Sequence, residues 1–263
     1  MDNYEYCAAW VRASKKFPTA LDFGCGRGVI VQKLRSSGVD AFGCDIFYEA
    51  AAYWEQVPSD YIQKGIIRRI ENGIIPFPDS TFDLVLSNQV MEHVEHLPQA
   101  LAEIQRVLKP GGQLLSLFPH KGVIREAHCG IPFLHRLKWL GRWRVPYAFA
   151  LRSIGVGLNK GAKSRWQWAR DYCDYVDQWT HYRHLGEIQR EFGRHFEIVE
   201  HLEEDYLLDR LEGNRRTLAK RLPACLKRVV VRRLAGLVFT CRKRDPSSQH
   251  PHIERRAREY VPD

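Results

Sequence analysis

The sequence predicts an α/β fold, and three observations carry that prediction. Residues 19–28, TALDFGCGRG, run from an apolar stretch (Ala20, Leu21, Phe23) into a turn holding Gly24, Gly26 and Gly28, and a helical pattern follows. Strand, glycine turn and helix build a nucleotide pocket. Glycine permits φ > 0 and lets a ligand approach bare backbone, while the helix presents unpaired N–H groups at its start. Next, DAFGCDI (40–46) reads as a strand ending in Asp45, at about the distance from the glycine turn expected of an acidic residue that reaches ribose hydroxyls. A carboxylate suits that task because it accepts from both hydroxyls of the diol. Finally, Phe82 to Leu86 is an apolar strand followed by the polar Ser87, Asn88 and Gln89, and ligands of open α/β sheets sit outside such strand ends. Val29 stands where the dinucleotide pattern G-x-G-x-x-G requires its third glycine, which argues against a dehydrogenase.

The other elements follow in order. Residues 4–16 read as a short helix, with Tyr6, Trp10 and Ala13 spaced by four and three. Val29 to Ser36 is helical and Gly38 ends it. A helix is expected through Ala50–Glu55, broken near Pro58, and GIIRRIE (65–71) is a third strand of uncertain register. Residues 97–108 form an amphipathic helix with Leu97, Leu101, Ile104, Val107 and Leu108 on one face; KPGG (109–112) stops it, and QLLSLFP (113–119) is a strand. In the stretch 120–180, Phe133, Leu134, Leu137 and Leu140 fall at helical spacing, with Trp139 and Trp143 four apart among basic residues. That stripe fits either packing on the core or lying on a membrane surface. A second basic segment, about 210–234, puts Leu218, Leu222, Leu226, Val229 or Val230 and Leu234 on one face, with Pro223 kinking or restarting the helix. Residues 245–263 read as a mobile tail.

The chain of 263 residues is long enough for a full core and is expected to form one elaborated domain over 1–244. Its seven cysteines lack C-x-x-C spacing, which fits a reducing compartment better than a disulfide framework or a zinc site. With no signal-like start and no apolar run near the roughly 20 residues of a membrane span, the expected location is cytoplasmic. The net charge of +9 is uneven. Residues 119–168 hold ten Lys or Arg against Glu126 alone, and 210–244 hold twelve against Glu212 alone. The remainder is net acidic, so the two basic annexes point to an anionic partner.

The ordered series LDFGCGRG, GCDI, PFPDSTFDLVLSN, MEHVEH and EIQRVLKPGGQLL, with Asp22 ahead of the glycines, resembles class I S-adenosylmethionine-dependent methyltransferases of the ubiquinone-biosynthesis, small-molecule type. The resemblance covers roughly residues 18–119, with an echo in THYRHLGEIQREF (180–192) and two closing strands near 196–202 and 236–242. It implies a Rossmann-like, seven-stranded, mostly parallel sheet with helices on both faces, an antiparallel last strand, and a helical insertion between the fifth strand and the closing hairpin. It also implies S-adenosyl-L-methionine as cofactor and S-adenosyl-L-homocysteine as product. Backbone at Gly24, Gly26 and Gly28 would meet the methionine part and ribose, Asp22 would anchor the loop and the methionine amino group, and Asp45 would hold the diol with Ile46 against adenine. Glu71 and Asn72 compete for the adenine amino group, where the family usually has aspartate. Asn88 would contact the methionine end through its backbone.

His93, in MEHVEH, stands where many relatives have histidine near the methyl group, and an imidazole can take a hydroxyl proton at neutral pH. Its other role would be to brace the strand-to-helix turn. Glu92, His93 and His96 lack H-E-x-x-H spacing, so no metal is expected. His128, His181 and Tyr182 are substrate-side candidates, with His135 and His184 beside them, and an aromatic such as Tyr6 or Trp10 is a guess for facing the sulfonium. The expected reaction is methyl transfer to an oxygen or nitrogen of a small molecule, glycan or lipid-linked intermediate, with peripheral contact at an anionic inner membrane face. The alternatives are an RNA methyltransferase using the basic annexes, or a non-catalytic cofactor-binding scaffold. RNA is disfavoured because Ser87-Asn88-Gln89-Val90 is not the N/D-P-P-Y/F motif of base-modifying enzymes.

Overall fold

The structure, a computed structural model, describes residues 1–48 and 53–244. The helix expected over 50–55 begins in the segment 49–52, and the tail is 245–263; both segments lie outside the described residues, and only a 3-10 turn, Trp54–Gln56, follows the first. Seven strands form one sheet: β1 (Thr19–Phe23), β2 (Asp40–Asp45), β3 (Ile67–Arg69), β4 (Phe82–Asn88), β5 (Leu108–Phe118), β6 (Phe196–His201) and β7 (Leu237–Lys243). Their spatial order is β3-β2-β1-β4-β5-β7-β6. The first five pair in parallel, and β7 runs antiparallel between β5 and β6. The order reverses beside β1, which has β2 on one side and β4 on the other, so the ligand crevice of an open α/β sheet falls at the carboxyl ends of those strands.

Helices cover both faces. On one side α1 (Asn3–Ser14) and α2 (Val29–Arg35) bury Ala8, Val11, Ile30, Val31 and Leu34, joined by Tyr206 of α8 (Glu203–Arg210) and Val231 of α10 (Ala224–Leu234). On the other, α4 (Leu97–Val107) packs its expected stripe, Leu97, Leu101, Ile104 and Val107, with Ile188 and Phe192 of α7 (Leu185–His195). The short α3 (Ser59–Gln63) leads into β3. Helix α1 starts at Asp2, whose carboxylate accepts from the Glu5 amide, and Pro98 sits in the first turn of α4, where a missing N–H costs nothing.

The structure departs from the sequence expectation at KPGG. These residues belong to β5, but the β4–β5 register jumps from Phe82↔Leu108 to Leu84↔Gln113, so Lys109–Gly112 bulge out of the ladder. Gly111 takes φ 73° there, and Lys109 reaches back to Asp83 at 2.9 Å.

The insertion has its own core. Helices α5 (Arg144–Ser153) and α6 (Arg165–Trp179) bury Ala148, Trp168, Ala169, Cys173 and Val176 with Cys129, Ile131 and Leu134. The helical stripe expected over 133–143 is instead two short 3-10 segments, Leu134–Arg136 and Lys138–Trp143. Phe133 (φ 57°) opens the first, and Gly141 (φ 52°, ψ −127°) breaks the second. Neither tryptophan packs on the core: Trp139 is 78% and Trp143 64% exposed. In the second basic segment Pro223 does restart a helix, after α9 (Gly213–Lys220). The apolar face expected there points outward, with Leu218, Leu226, Val229 and Leu234 exposed. What α10 turns inward is Val231 and Lys227, the latter paired with Glu204, while Arg232 binds the buried Glu203 at 2.7 Å.

Arg106 explains why PFPDSTFDLV and EIQRVLKPGG occur together. Its guanidinium donates to the carbonyls of Ile75 (2.8 Å) and Phe77 (2.9 Å), to Asp79 (2.7 Å) and to both oxygens of Glu103 (2.8 Å each), clamping the loop before β4 onto α4. Only a planar fork spans these acceptors. We expect Arg106→Ala to cost about 2–4 kcal/mol in urea unfolding, with Arg106→Lys recovering less than half, since several acceptors lose their donor together.

Candidate cofactor seat and acceptor chamber

The parallel pairing of β1 with β2 sets Phe23 beside Cys44 and lets the amides of Gly24 and Cys25 share the Cys44 carbonyl at 2.8 and 3.1 Å. Asp45, the next residue, accepts from the Gly26 amide at 2.8 Å and the Phe47 amide at 3.0 Å. The glycine turn and the acidic strand end, read from the sequence as one site, are in contact. Gly24, Gly26 and Gly28 all have φ between 49° and 80°. Two of them also lack room for a side chain: a Cβ on Gly24 would lie 2.3 Å from Val90, and one on Gly28 would lie 2.4 Å from Ile67. Above Gly26 the space is open, with Tyr53 as the neighbour at 3.9 Å, so a ligand can reach that backbone.

Asp22 is 3% exposed near the end of β1. Burial, reinforced by the charge of Asp45, pushes it up to about 8. A buried carboxylate beside a second acidic group fits an ammonium group, which is what a methionine moiety would bring. Ile46 is 44% exposed beside Asp45, as a side chain held for a planar base would be. Glu71 and Asn72 lie just past β3, both exposed; Glu71 bridges to Ile74, and Asn72 holds φ 53° with its carbonyl taken by Gln99. Asn88 ends β4 with its side-chain oxygen buried and unpartnered. Tyr6 is buried edge-on against Tyr206, and the half-buried Trp10 stacks on Phe17. The half-exposed Tyr4 is the α1 ring whose hydroxyl feels Asp22 and Tyr53.

A second cluster lies where MEHVEH meets the insertion. Arg183 holds that segment by donating to the carbonyls of Met91, Val94 and Glu95, and the Glu92 carbonyl accepts from the His181 amide at 2.6 Å. His93 Nδ1 is 2.6 Å from the Trp179 carbonyl, and its Nε2 is 3.2 Å from His128 Nε2. Burial pulls the His93 imidazole down to about 4, so it is uncharged at neutral pH. Behind His128 stands Glu126, which also accepts from the Tyr182 hydroxyl at 2.8 Å. Burial raises the Glu126 carboxyl, but the bond and charge of His128 and the amide and hydroxyl donors outweigh it and hold the group at about 2. Glu92 is buried, and burial together with the charge of Glu126 pushes it up to about 8. Tyr175 packs against both His93 and His128. The Tyr48–Trp179 ring contact (5.0 Å) joins this chamber to the strand end that carries Asp45.

The structure thus brings His93, His128 and Tyr182 together. His181 joins them through its backbone, and His135 stacks on Tyr182 while its Nε2 lies 3.2 Å from the Lys121 carbonyl. Sequence reasoning missed Glu126 and Tyr175. Glu126 carried one visible signal, as the sole acidic residue of a basic stretch.

Residues 21–116 match the family described as Methyltransferase domain. The matched stretch holds the glycine turn, Asp45 and MEHVEH, and it resembles a class I S-adenosylmethionine-dependent methyltransferase domain. The fold of the chain is shared with an S-adenosylmethionine dependent methyltransferase from Mesorhizobium loti, at a TM-score of 0.54 and 16% identity over 91% of this chain and 100% of that one. Among curated proteins it is similar to the mitochondrial arginine-hydroxylase NDUFAF5 of Rattus norvegicus, 36% identical over 119 residues, covering 45% of this chain and 34% of that protein. It is 31% identical over 116 residues to the demethylmenaquinone methyltransferase of Tropheryma whipplei, covering 41% and 47%. The chain therefore spans about a third to a half of the length of these relatives.

Asp22 yields a test that separates binding from stability. Its folded pKa lies above its unfolded value, so the stability it contributes is present below the unfolded pKa of about 3.9 and is lost as pH rises through about 8. We expect ligand-free Asp22→Asn to melt higher than the unmodified chain at about pH 9, while binding S-adenosylmethionine at least ~10-fold more weakly, as loss of a charged hydrogen bond implies.

Proposed function

We propose that this chain is a methyltransferase that moves the methyl group of S-adenosylmethionine to an oxygen or nitrogen of a small molecule, glycan or lipid-linked intermediate. The observation that carries the reading is the contact between a nucleotide seat and a buried histidine chamber through Tyr48 and Trp179. The cofactor supplies an activated methyl on a sulfonium, which leaves the protein to position the acceptor and take its proton. The glycine turn and Asp45 hold the ribose, Asp22 the methionine ammonium and Ile46 one face of adenine. Glu71 or Asn72 receives the adenine amino group, and Asn88 borders the methionine end. On the acceptor side His93 and His128 are the groups placed to receive the proton, with Glu126 orienting His128; His181 and Tyr182 line the same chamber.

The basic annexes support an acceptor that carries phosphate or sits among anionic headgroups. Trp139 and Trp143 stand exposed near Lys138 and Arg142, the arrangement of a segment that lies on a lipid surface. This favours work at the inner face of a membrane by a cytoplasmic protein. Among the described residues no helix is long and apolar enough to cross a membrane.

Incubation with methyl-labelled S-adenosylmethionine and fractionated host extract tests the reading. We expect label in a small-molecule, glycan or lipid fraction, lost with Asp45→Ala. Label in RNA would replace the reading with RNA methylation. No label despite cofactor binding would leave a scaffold, or a different reaction such as the hydroxylation for which the mitochondrial relative is named.

A further inference from the structure

The histidine pair turns two Nε2 atoms toward each other from rings whose Nδ1 atoms are already engaged. The Glu126 carboxylate accepts from four donors: His128 Nδ1 (2.7 Å) and the Tyr182 hydroxyl (2.8 Å) on one oxygen, and the amides of His128 (2.8 Å) and Cys129 (2.7 Å) on the other. Fully engaged as an acceptor, it requires His128 Nδ1 to carry hydrogen. His93 Nδ1 sits 2.6 Å from the Trp179 carbonyl, which can only accept, so that nitrogen is also an N–H. In its neutral form an imidazole has one N–H, so each Nε2 then offers a lone pair to the other across 3.2 Å. A positive centre between the rings, a shared proton or a metal ion, holds such a pair together.

Beside them lies Glu92, 1% exposed, with neither carboxylate oxygen hydrogen-bonded. Ligand atoms of Glu92, His93 and His128 all fall within 4.8 Å of one another. We propose that these three residues bind a divalent transition-metal ion of the zinc, cobalt(II) or iron(II) kind.

The geometry agrees on two independent counts. Nitrogens about 2.1 Å from one ion, at coordination angles of roughly 90–110°, stand about 3.0–3.4 Å apart, which brackets the observed separation. Each ring also donates its other N–H to the kind of partner that orients metal-bound histidines, a carboxylate for His128 and a backbone carbonyl for His93. Rotation about the Glu92 side-chain bonds brings its oxygen the remaining distance. Two imidazoles and one carboxylate suit zinc and its first-row neighbours rather than magnesium or calcium, and three protein ligands leave coordination positions open. Such an ion would occupy both Nε2 lone pairs, so in place of proton transfer to His93 or His128 it would bind an acceptor oxygen and lower its pKa, with the proton leaving to solvent; that effect rests on the proposed transfer reaction, and ion binding itself does not. The sequence expectation of no metal considered Glu92, His93 and His96. The third ligand comes from the insertion, 35 residues beyond His93.

The test reads metal, not turnover. The full chain is stripped with chelator and titrated with cobalt(II), followed by its visible absorption and by calorimetry, with zinc as competitor. We expect one equivalent to bind with visible bands that zinc abolishes. Glu92→Gln and His128→Ala should each weaken binding at least ~10-fold, while His96→Ala, at the exposed neighbour, leaves it unchanged. S-adenosylhomocysteine affinity of each variant reports that it is folded. Cobalt binding no tighter than in the His93→Ala/His128→Ala double variant would overturn the site, as would nitrogen NMR showing a proton shared between the rings that metal does not displace. A chain that binds the ion yet transfers no methyl refutes the reaction alone. One that transfers methyl fully without ion, and binds none, refutes the site alone.

Discussion

The cofactor seat depends on one hydrogen bond, from the Gly26 amide to the Asp45 carboxylate at 2.8 Å. It joins the loop leaving β1 to the end of β2, and it exists because the two strands run parallel with Phe23 beside Cys44. The glycines take positive φ angles, and Val90 at Gly24 and Ile67 at Gly28 leave no room for a side chain in the turn that meets that carboxylate. A ligand diol arriving at Asp45 joins a carboxylate already ordered by backbone, so little side-chain entropy is lost in binding it.

A second carboxylate, the buried Glu126, does the same for the acceptor chamber. Glu126 gathers a histidine, a tyrosine and two amides, and thereby ties the insertion to the THYRHL segment. Arg183 completes the tie by binding three carbonyls of MEHVEH. The chamber is thus assembled from three stretches of chain, and each is fixed by a buried charge that finds several partners. That is the condition under which burial of charge is tolerated.

What could be read from the sequence follows from range. The glycine turn, Asp45, the strand ends and the stripe of α4 are local patterns with a fixed period or spacing, and the structure has them as expected, in a seven-stranded, mostly parallel sheet with an antiparallel last strand. The convergence of Glu92, His93 and His128 is not local; nothing in the spacing of MEHVEH announces a partner in the insertion. Helical periodicity misled over 133–143 because it ignores backbone: Phe133 and Gly141 both adopt positive φ, which no helix continues through. Over 218–234 it finds the shared face but not its side: Lys227 is turned inward to Glu204 and the leucines are left outside. Periodicity finds an apolar face but does not say which side of the helix the core's charges will claim.

The central claim is that Asp45 holds the ribose of the cofactor in a seat made by the glycine turn. A double-mutant cycle tests it most directly, with calorimetric binding of S-adenosylhomocysteine and its 2′-deoxy analogue to the unmodified chain and to Asp45→Ala. The account predicts that removing the hydroxyl weakens binding to the unmodified chain but barely affects the variant, a coupling of about 1–3 kcal/mol. Losses that simply add would place the ribose elsewhere and contradict the seat.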